Sequence, residues 1–147
     1  MFDLDSIFSA DGVLAKAIRD YRPRTQQFEM AQAIAAAIAD HKILIAEAGT
    51  GTGKTFAYLA PALLAGGKVI VSTGTKTLQD QLFFRDIPAL RDALKIPVSI
   101  AMLKGRANYV CHFHLGRAKA EGRFMVREDA LHLPKIERFA ANSRVPV

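Results

Sequence analysis

The chain is short of several things, and each shortage excludes a class of protein. It has a single cysteine, Cys111, so an internal disulfide framework is excluded. No apolar run approaches the ~20 residues that a membrane-spanning helix needs, so no membrane partner is expected. The N-terminus, Met1-Phe2-Asp3-Leu4-Asp5, is acidic and lacks a basic n-region. It does not read as a secretory signal, and the expected compartment is cytoplasmic. Internal repeats and low-complexity tracts are also missing. Acidic residues are the minority charge, 14 Asp+Glu against 20 Lys+Arg, for a formal net charge of +6. That balance suits a nucleic-acid or nucleotide-binding surface, and equally a soluble domain with surplus surface lysine and arginine.

What is present suffices for a packed core. Half of the 147 residues are hydrophobic, which fits a domain of ordinary size. Phe2–Ala10 reads as an extended lead-in. Asp11 would cap a short helix through Arg19, and Tyr21-Arg22-Pro23-Arg24 would break it. Thr25 then reads as the N-cap of a helix from Gln26 to about Asp40. Ile43–Glu47 and Lys68–Ser72 read as buried strands, and Pro97–Met102 suggests a third strand. Between them lie helix-compatible segments at Lys54–Leu64, Thr75–Phe84 and Ala89–Leu94, with Pro61 expected to end or kink the first and Pro88 to interrupt the chain before the last. Asn108–Ala120 and Arg127–Ala140 read as helices, the second perturbed by Pro134. Strands alternating with helices predict an α/β domain with a mainly parallel sheet. Near Lys104 the β-type runs stop and basic and aromatic residues intermingle, so a boundary is expected there.

The sharpest motif is Ala48-Gly49-Thr50-Gly51-Thr52-Gly53-Lys54-Thr55. It follows an apolar run and precedes a helix, the context of a Walker A phosphate loop. Its glycines let successive backbone N–H groups turn inward towards anionic oxygens. The helix behind it offers free N–H groups and a positive dipole end to the same charge. Lys54 would reach the β- and γ-phosphates, and the Thr55 hydroxyl would ligate Mg²⁺. The general pattern opens with glycine, and Ala48 stands there instead. The turn survives that change if Ala48 avoids positive φ.

Three further segments carry polar chemistry. In Tyr21–Met30, a glutamine amide offers a donor and an acceptor suited to an adenine edge, while ordinary helix capping is the plain alternative. In Ser72–Leu82, hydroxyls and backbone N–H groups beyond a strand end suit phosphates of a nucleic-acid strand, or simply cap a helix. Leu103-Lys104-Gly105-Arg106-Ala107-Asn108-Tyr109-Val110-Cys111 brings cations and an aromatic to a lone thiol. Cys111 reads either as an inert buried cysteine or as a metal or cluster ligand with partners elsewhere. His112 and His114 read as ordinary histidines, and His41 and His132 have no context suggesting chemistry.

Taken in order, Tyr21–Met30, Glu47–Thr55, Val71–Leu82 and Leu103–Cys111 resemble the Q motif, motif I, motif Ia and the approach to the iron–sulfur domain of one family. That family is the DinG/XPD-type superfamily 2 iron–sulfur DNA helicases, in the YoaA-like branch. Ala at the first loop position is tolerated there. The resemblance implies residues 1–103 as the N-terminal part of a RecA-like motor domain, and 104–147 as the start of a mainly helical iron–sulfur domain. It implies an ATP-dependent helicase moving 5′-to-3′ on single-stranded or forked DNA, serving repair or replication with protein partners of unknown identity. By position, Gln27 (or Gln26) would recognise adenine. Ala48, Gly49, Thr50, Gly51, Thr52, Gly53, Lys54 and Thr55 would hold ATP and Mg²⁺. Thr73, Thr75 and Gln81 would lie towards DNA. Cys111 would ligate a 4Fe–4S cluster, with Arg106 and Tyr109 close by.

A DEAH-type sequence and further cysteines are absent from the chain. The expectation is therefore an N-terminal piece that binds ATP and hydrolyses it very poorly alone. The competing expectation is a self-contained, non-catalytic nucleotide- or partner-binding module. An unrelated P-loop kinase or transporter ATPase would have no use for the Leu103–Cys111 segment.

Overall fold

The computed structural model describes residues 3–122 and 124–143. The chain divides into two compact units, Met1–Met102 and Leu103–Val147.

The first unit is a helical layer. Helix α1 spans Asp5–Phe8 and α2 spans Val13–Ala17. The expected lead-in over Phe2–Ala10 is thus partly helical, with Phe2 itself outside the described residues. The reason is local: the Asp3 carboxylate accepts the Ser6 N–H at 3.3 Å, and Ile7 and Phe8 turn into the core. Helix α3 runs Thr25–Ala39, with Arg24 rather than Thr25 in the N-cap place. Helix α4 runs Lys54–Ala65 straight past Pro61, which is fully buried and does not end it. The missing Pro61 N–H removes one ladder bond, and burial of the ring holds the turn.

Helices α3 and α4 are packed together. Ala31 in α3 and Ala57, Leu59 and Ala60 in α4 are fully buried. Helix α5, Lys76–Gln81, leads into a π-helical turn at Leu82–Asp86 and then into α6, Ile87–Leu94. The expected break at Pro88 is absent. Ile87 N–H reaches back to the Leu82 carbonyl, so the ladder widens just before Pro88, which then sits in the first turn of α6.

The parallel sheet is the expectation the structure overturns. No residue of Ile43–Glu47, Lys68–Ser72 or Pro97–Met102 forms a strand, and no strand occurs among the described residues. Exposure along the runs is high: Ile43 95%, Leu44 41%, Ile45 93%, and Val69 42%, Ile70 94%, Val71 37%. An α-helix closes its hydrogen bonds within one segment, whereas a strand needs a partner in register. The runs are apolar enough for strands, but no two of them form a ladder. Their less exposed members, Leu44, Val69 and Val71, line an open cleft of about 640 Å³ against Met30 and Ile34 of α3.

In the second unit a 3₁₀ turn at Arg106–Asn108 precedes α7, His112–Glu121. A longer 3₁₀ stretch, Arg127–His132, leads into α8, Leu133–Asn142. Pro134 opens α8 rather than disturbing it. Lys119 on α7 pairs with Glu137 on α8 at 2.8 Å. Among the described residues, no helix is long and apolar enough to cross a membrane.

Candidate functional site

The loop Ala48–Gly53 feeds directly into α4, whose N-cap is Gly53 at φ 80°. Gly51 has φ 77°, and Ala48 is not among the positive-φ residues, so its Cβ meets no backbone penalty. The Lys54 ammonium folds back over the loop, donating to the Ala48 carbonyl at 2.6 Å and the Gly49 carbonyl at 2.7 Å. The Thr52 hydroxyl also donates to the Gly49 carbonyl, at 3.0 Å. Space stays open where side chains would begin at Gly49 and Gly51. The loop therefore presents backbone and one cation at the head of a helix, an arrangement suited to anions.

Gly53 suits its place by its backbone, and a side chain there would also displace the Gln27 amide. Besides its left-handed φ, an added Cβ would lie 2.8 Å from Cδ of Gln27. Gln27 is buried at 4% exposure, and its Nε2 donates to the Gly53 carbonyl at 2.9 Å. Its Oε1 lies 3.1 Å from the Tyr21 hydroxyl, which is also 3.0 Å from the Phe8 carbonyl. One phenolic proton serves both acceptors. Burial raises the Tyr21 pKa above 10.0, and Arg24 lowers it in part, so that proton is well held. The sequence singled out Gln27 for adenine; the structure places its amide on the phosphate loop and on Tyr21. Gln26 beside it is exposed.

Thr55 follows Lys54 in the first turn of α4, three residues before Tyr58. Burial raises the Tyr58 pKa above its ordinary value, offset in part by the Thr55 hydroxyl and reinforced by the Asp86 charge. Thr73 and Thr75 lie together: the Thr73 hydroxyl donates to the Thr75 carbonyl at 3.1 Å, and Thr75 Oγ1 accepts the Leu78 N–H at 3.2 Å. Thr75 is thus the N-cap of α5. Gln81, at the end of α5, donates from Nε2 to Asp86 at 2.7 Å.

Sequence reasoning missed Tyr21 as the holder of Gln27, and it missed Tyr58 and Asp86 altogether. The available signal was Asp86 inside the apolar stretch Leu82–Leu90, where a carboxylate needs partners.

Cys111 lies in the second unit as an exposed, free thiol, in extended backbone just before α7. The Tyr109 hydroxyl accepts the Lys104 N–H at 2.7 Å, which braces the turn through Arg106. A 4Fe–4S cluster takes four thiolates. The chain supplies one, and among the described residues no group of three or more His, Cys, Asp or Glu could hold a metal. The residues present do not make a cluster site by themselves.

A family model for the DEAD/DEAH box helicase matches residues 29–110, which take in the phosphate loop and the Thr73–Gln81 segment. The chain is 51% identical over 134 residues to the ATP-dependent DNA helicase YoaA of Haemophilus influenzae, covering 91% of this chain and 21% of that protein. It is 58% identical over 104 residues to the Escherichia coli protein of the same name, covering 71% and 16%. It is 44% identical over 107 residues to the ATP-dependent helicase DinG of Mycobacterium tuberculosis, covering 67% and 16%. The chain thus spans about a fifth or less of the length of these curated relatives. No solved structure matches. With the matched segment more than half the chain long, the chain belongs to the DEAD/DEAH box helicase family, with YoaA and DinG among its relatives.

Proposed function

We propose that the chain is the ATP- and DNA-binding first portion of a longer ATP-dependent 5′-to-3′ DNA helicase acting in repair or replication. The observation that carries this reading is the phosphate loop: left-handed Gly51 and Gly53, open space at Gly49 and Gly51, and a lysine lying over the loop. Residues 48–55 are assigned to the nucleotide. Lys54 would exchange its carbonyl partners, Ala48 and Gly49, for phosphate oxygens, which hold an ammonium more strongly. The Thr55 hydroxyl is the donor set for Mg²⁺, a hard cation that prefers oxygen and would neutralise phosphate charge. Gln27 is assigned to the adenine side, with its amide also bracing Gly53. Thr73, Thr75 and Gln81 are assigned to the DNA backbone. We place residues 1–103 in the motor and 104–147 in a following domain, where Cys111 would be one thiolate of a cluster completed from elsewhere.

The chain alone binds nucleotide without competent turnover, because positioning water and stabilising transition-state charge need groups it does not carry. Titration of the purified chain with ATP and Mg²⁺ is expected to give saturable binding. Lys54→Ala should weaken it by about ten-fold or more, the usual scale of a charged hydrogen bond. Robust ATP turnover by the chain, lost in Lys54→Ala, would overturn the claim of binding without hydrolysis. Affinity for single-stranded DNA should fall about ten-fold between about 50 and about 200 mM salt, as counterion release requires for a few phosphate contacts. Binding that ignores ionic strength would remove the DNA assignment.

A further inference from the structure

A line of hydrogen bonds reaches the phosphate loop from the start of the chain. The Tyr21 hydroxyl is 3.0 Å from the Phe8 carbonyl and 3.1 Å from Gln27 Oε1, and Gln27 Nε2 donates to the Gly53 carbonyl at 2.9 Å. Gln27 is 4% exposed, so a lost partner is not readily replaced by water. The amide has one workable orientation. Turned over, Oε1 would face the Gly53 carbonyl, acceptor against acceptor. With Nε2 committed to Gly53, Oε1 needs a donor, and the Tyr21 hydroxyl is that donor. Tyr21 is also fixed at its other acceptor: Phe8 closes α1, and its ring meets Phe28 of α3 edge-on with centroids 6.5 Å apart.

The Gly53 carbonyl also accepts the Ala57 N–H, at a longer 3.3 Å, so Gln27 is its closer partner. A trans peptide is planar, with its C=O and the next N–H on opposite sides. Pinning the Gly53 carbonyl on Gln27 therefore turns the Lys54 N–H the other way, at the head of α4 where an anion is best held. We propose that Tyr21 is a positioning residue for the phosphate loop: by holding the Gln27 amide it fixes the Gly53–Lys54 peptide, and so sets affinity for the phosphates rather than for the base. This rests on the assignment of residues 48–55 to the nucleotide. Without the Tyr21 hydroxyl, Oε1 stays buried and loses its donor. The amide is then free to turn, and the peptide it pinned loosens.

The test is calorimetric titration of the 147-residue chain, in Mg²⁺, with ATP and with inorganic tripolyphosphate, which carries the phosphates without the base. Tyr21→Phe should raise the Kd for both ligands by the same factor, about three-fold to ten-fold, the scale of one hydrogen bond. Gln27→Met, of similar length but without either bond, should weaken tripolyphosphate at least as much. In that background Tyr21→Phe should lose nothing further, since its effect passes through the amide. A weakening confined to ATP would put the pair on the base and overturn the proposal. A merely structural role would lower the melting temperature and the fraction of chain able to bind while leaving the tripolyphosphate Kd intact, which also overturns it. If Tyr21→Phe fails to fold, Gln27→Met decides with the same two ligands. A wild-type chain that binds both ligands and is indifferent to either substitution sinks this inference and leaves the proposed function standing. A chain that binds neither ends both.

Discussion

Helices α3 and α4 and the runs Ile43–Glu47 and Lys68–Ser72 are both apolar, yet they behave in opposite ways. Leu59 in α4 is fully buried, and Ile45, of the same size, is 93% exposed. The difference is the range over which each structure closes its hydrogen bonds. A helix satisfies its backbone within one turn, so an apolar face is free to find packing afterwards. A strand satisfies its backbone only through a neighbour, and apolar character does not name that neighbour. Hydrophobicity is therefore a reliable guide to burial in this chain only where the backbone is already settled.

The widest test of that contrast is a pair of alanine substitutions followed by chemical denaturation. Leu59→Ala should cost about 2–5 kcal/mol, as for other fully buried leucines. Ile45→Ala should stay within about 0.5 kcal/mol, as for an exposed site. Equal costs would show that the run is packed as tightly as the helix and would break the comparison.

The next effect concerns the junction between the settled helices and the loop. Gln27→Ala strips the Gly53 carbonyl and the Tyr21 hydroxyl of a buried partner, and should cost about 1–3 kcal/mol. Gln26→Ala, one residue away and exposed, serves as the control and should change stability very little. Smaller again is Thr75→Ala, which removes the cap of α5 and should cost about 1 kcal/mol.

The smallest expected effect is in alkali. The Tyr21 pKa is raised by burial above 10.0, so the folded state holds that proton longer than the unfolded chain does. Its contribution is fully present below pH 10 and is lost as pH rises through the folded value. Tyr21→Phe should flatten the stability profile in that range, measured by melting temperature against pH. An unchanged profile would detach Tyr21 from the loop.

Where local rules governed, the sequence was readable. Helix α3 was expected from Gln26 to Asp40 and is found at Thr25–Ala39. The loop into α4 was legible because glycine spacing, Gly-Lys-Thr and a following helix are all short-range signals, and the same motifs pointed to the helicase family. What could not be read depended on contacts across the chain. Pro61 and Pro88 read locally as interruptions, and burial with a π turn absorbs them. Cys111 left two alternatives open, and it proved an exposed thiol. Asp86 carried no motif, since only the π turn brings it onto Gln81.

The sequence by itself determined the glycine-rich turn, the helices beside it and the family, because each is written in residues near one another in the chain. Tertiary structure alone decided that Gln27 grips Gly53 and that the β-type runs stay out of a sheet. Those outcomes turn on pairing between distant segments. A chain's local chemistry sets what each segment can offer, and only the folded arrangement settles which offers are taken.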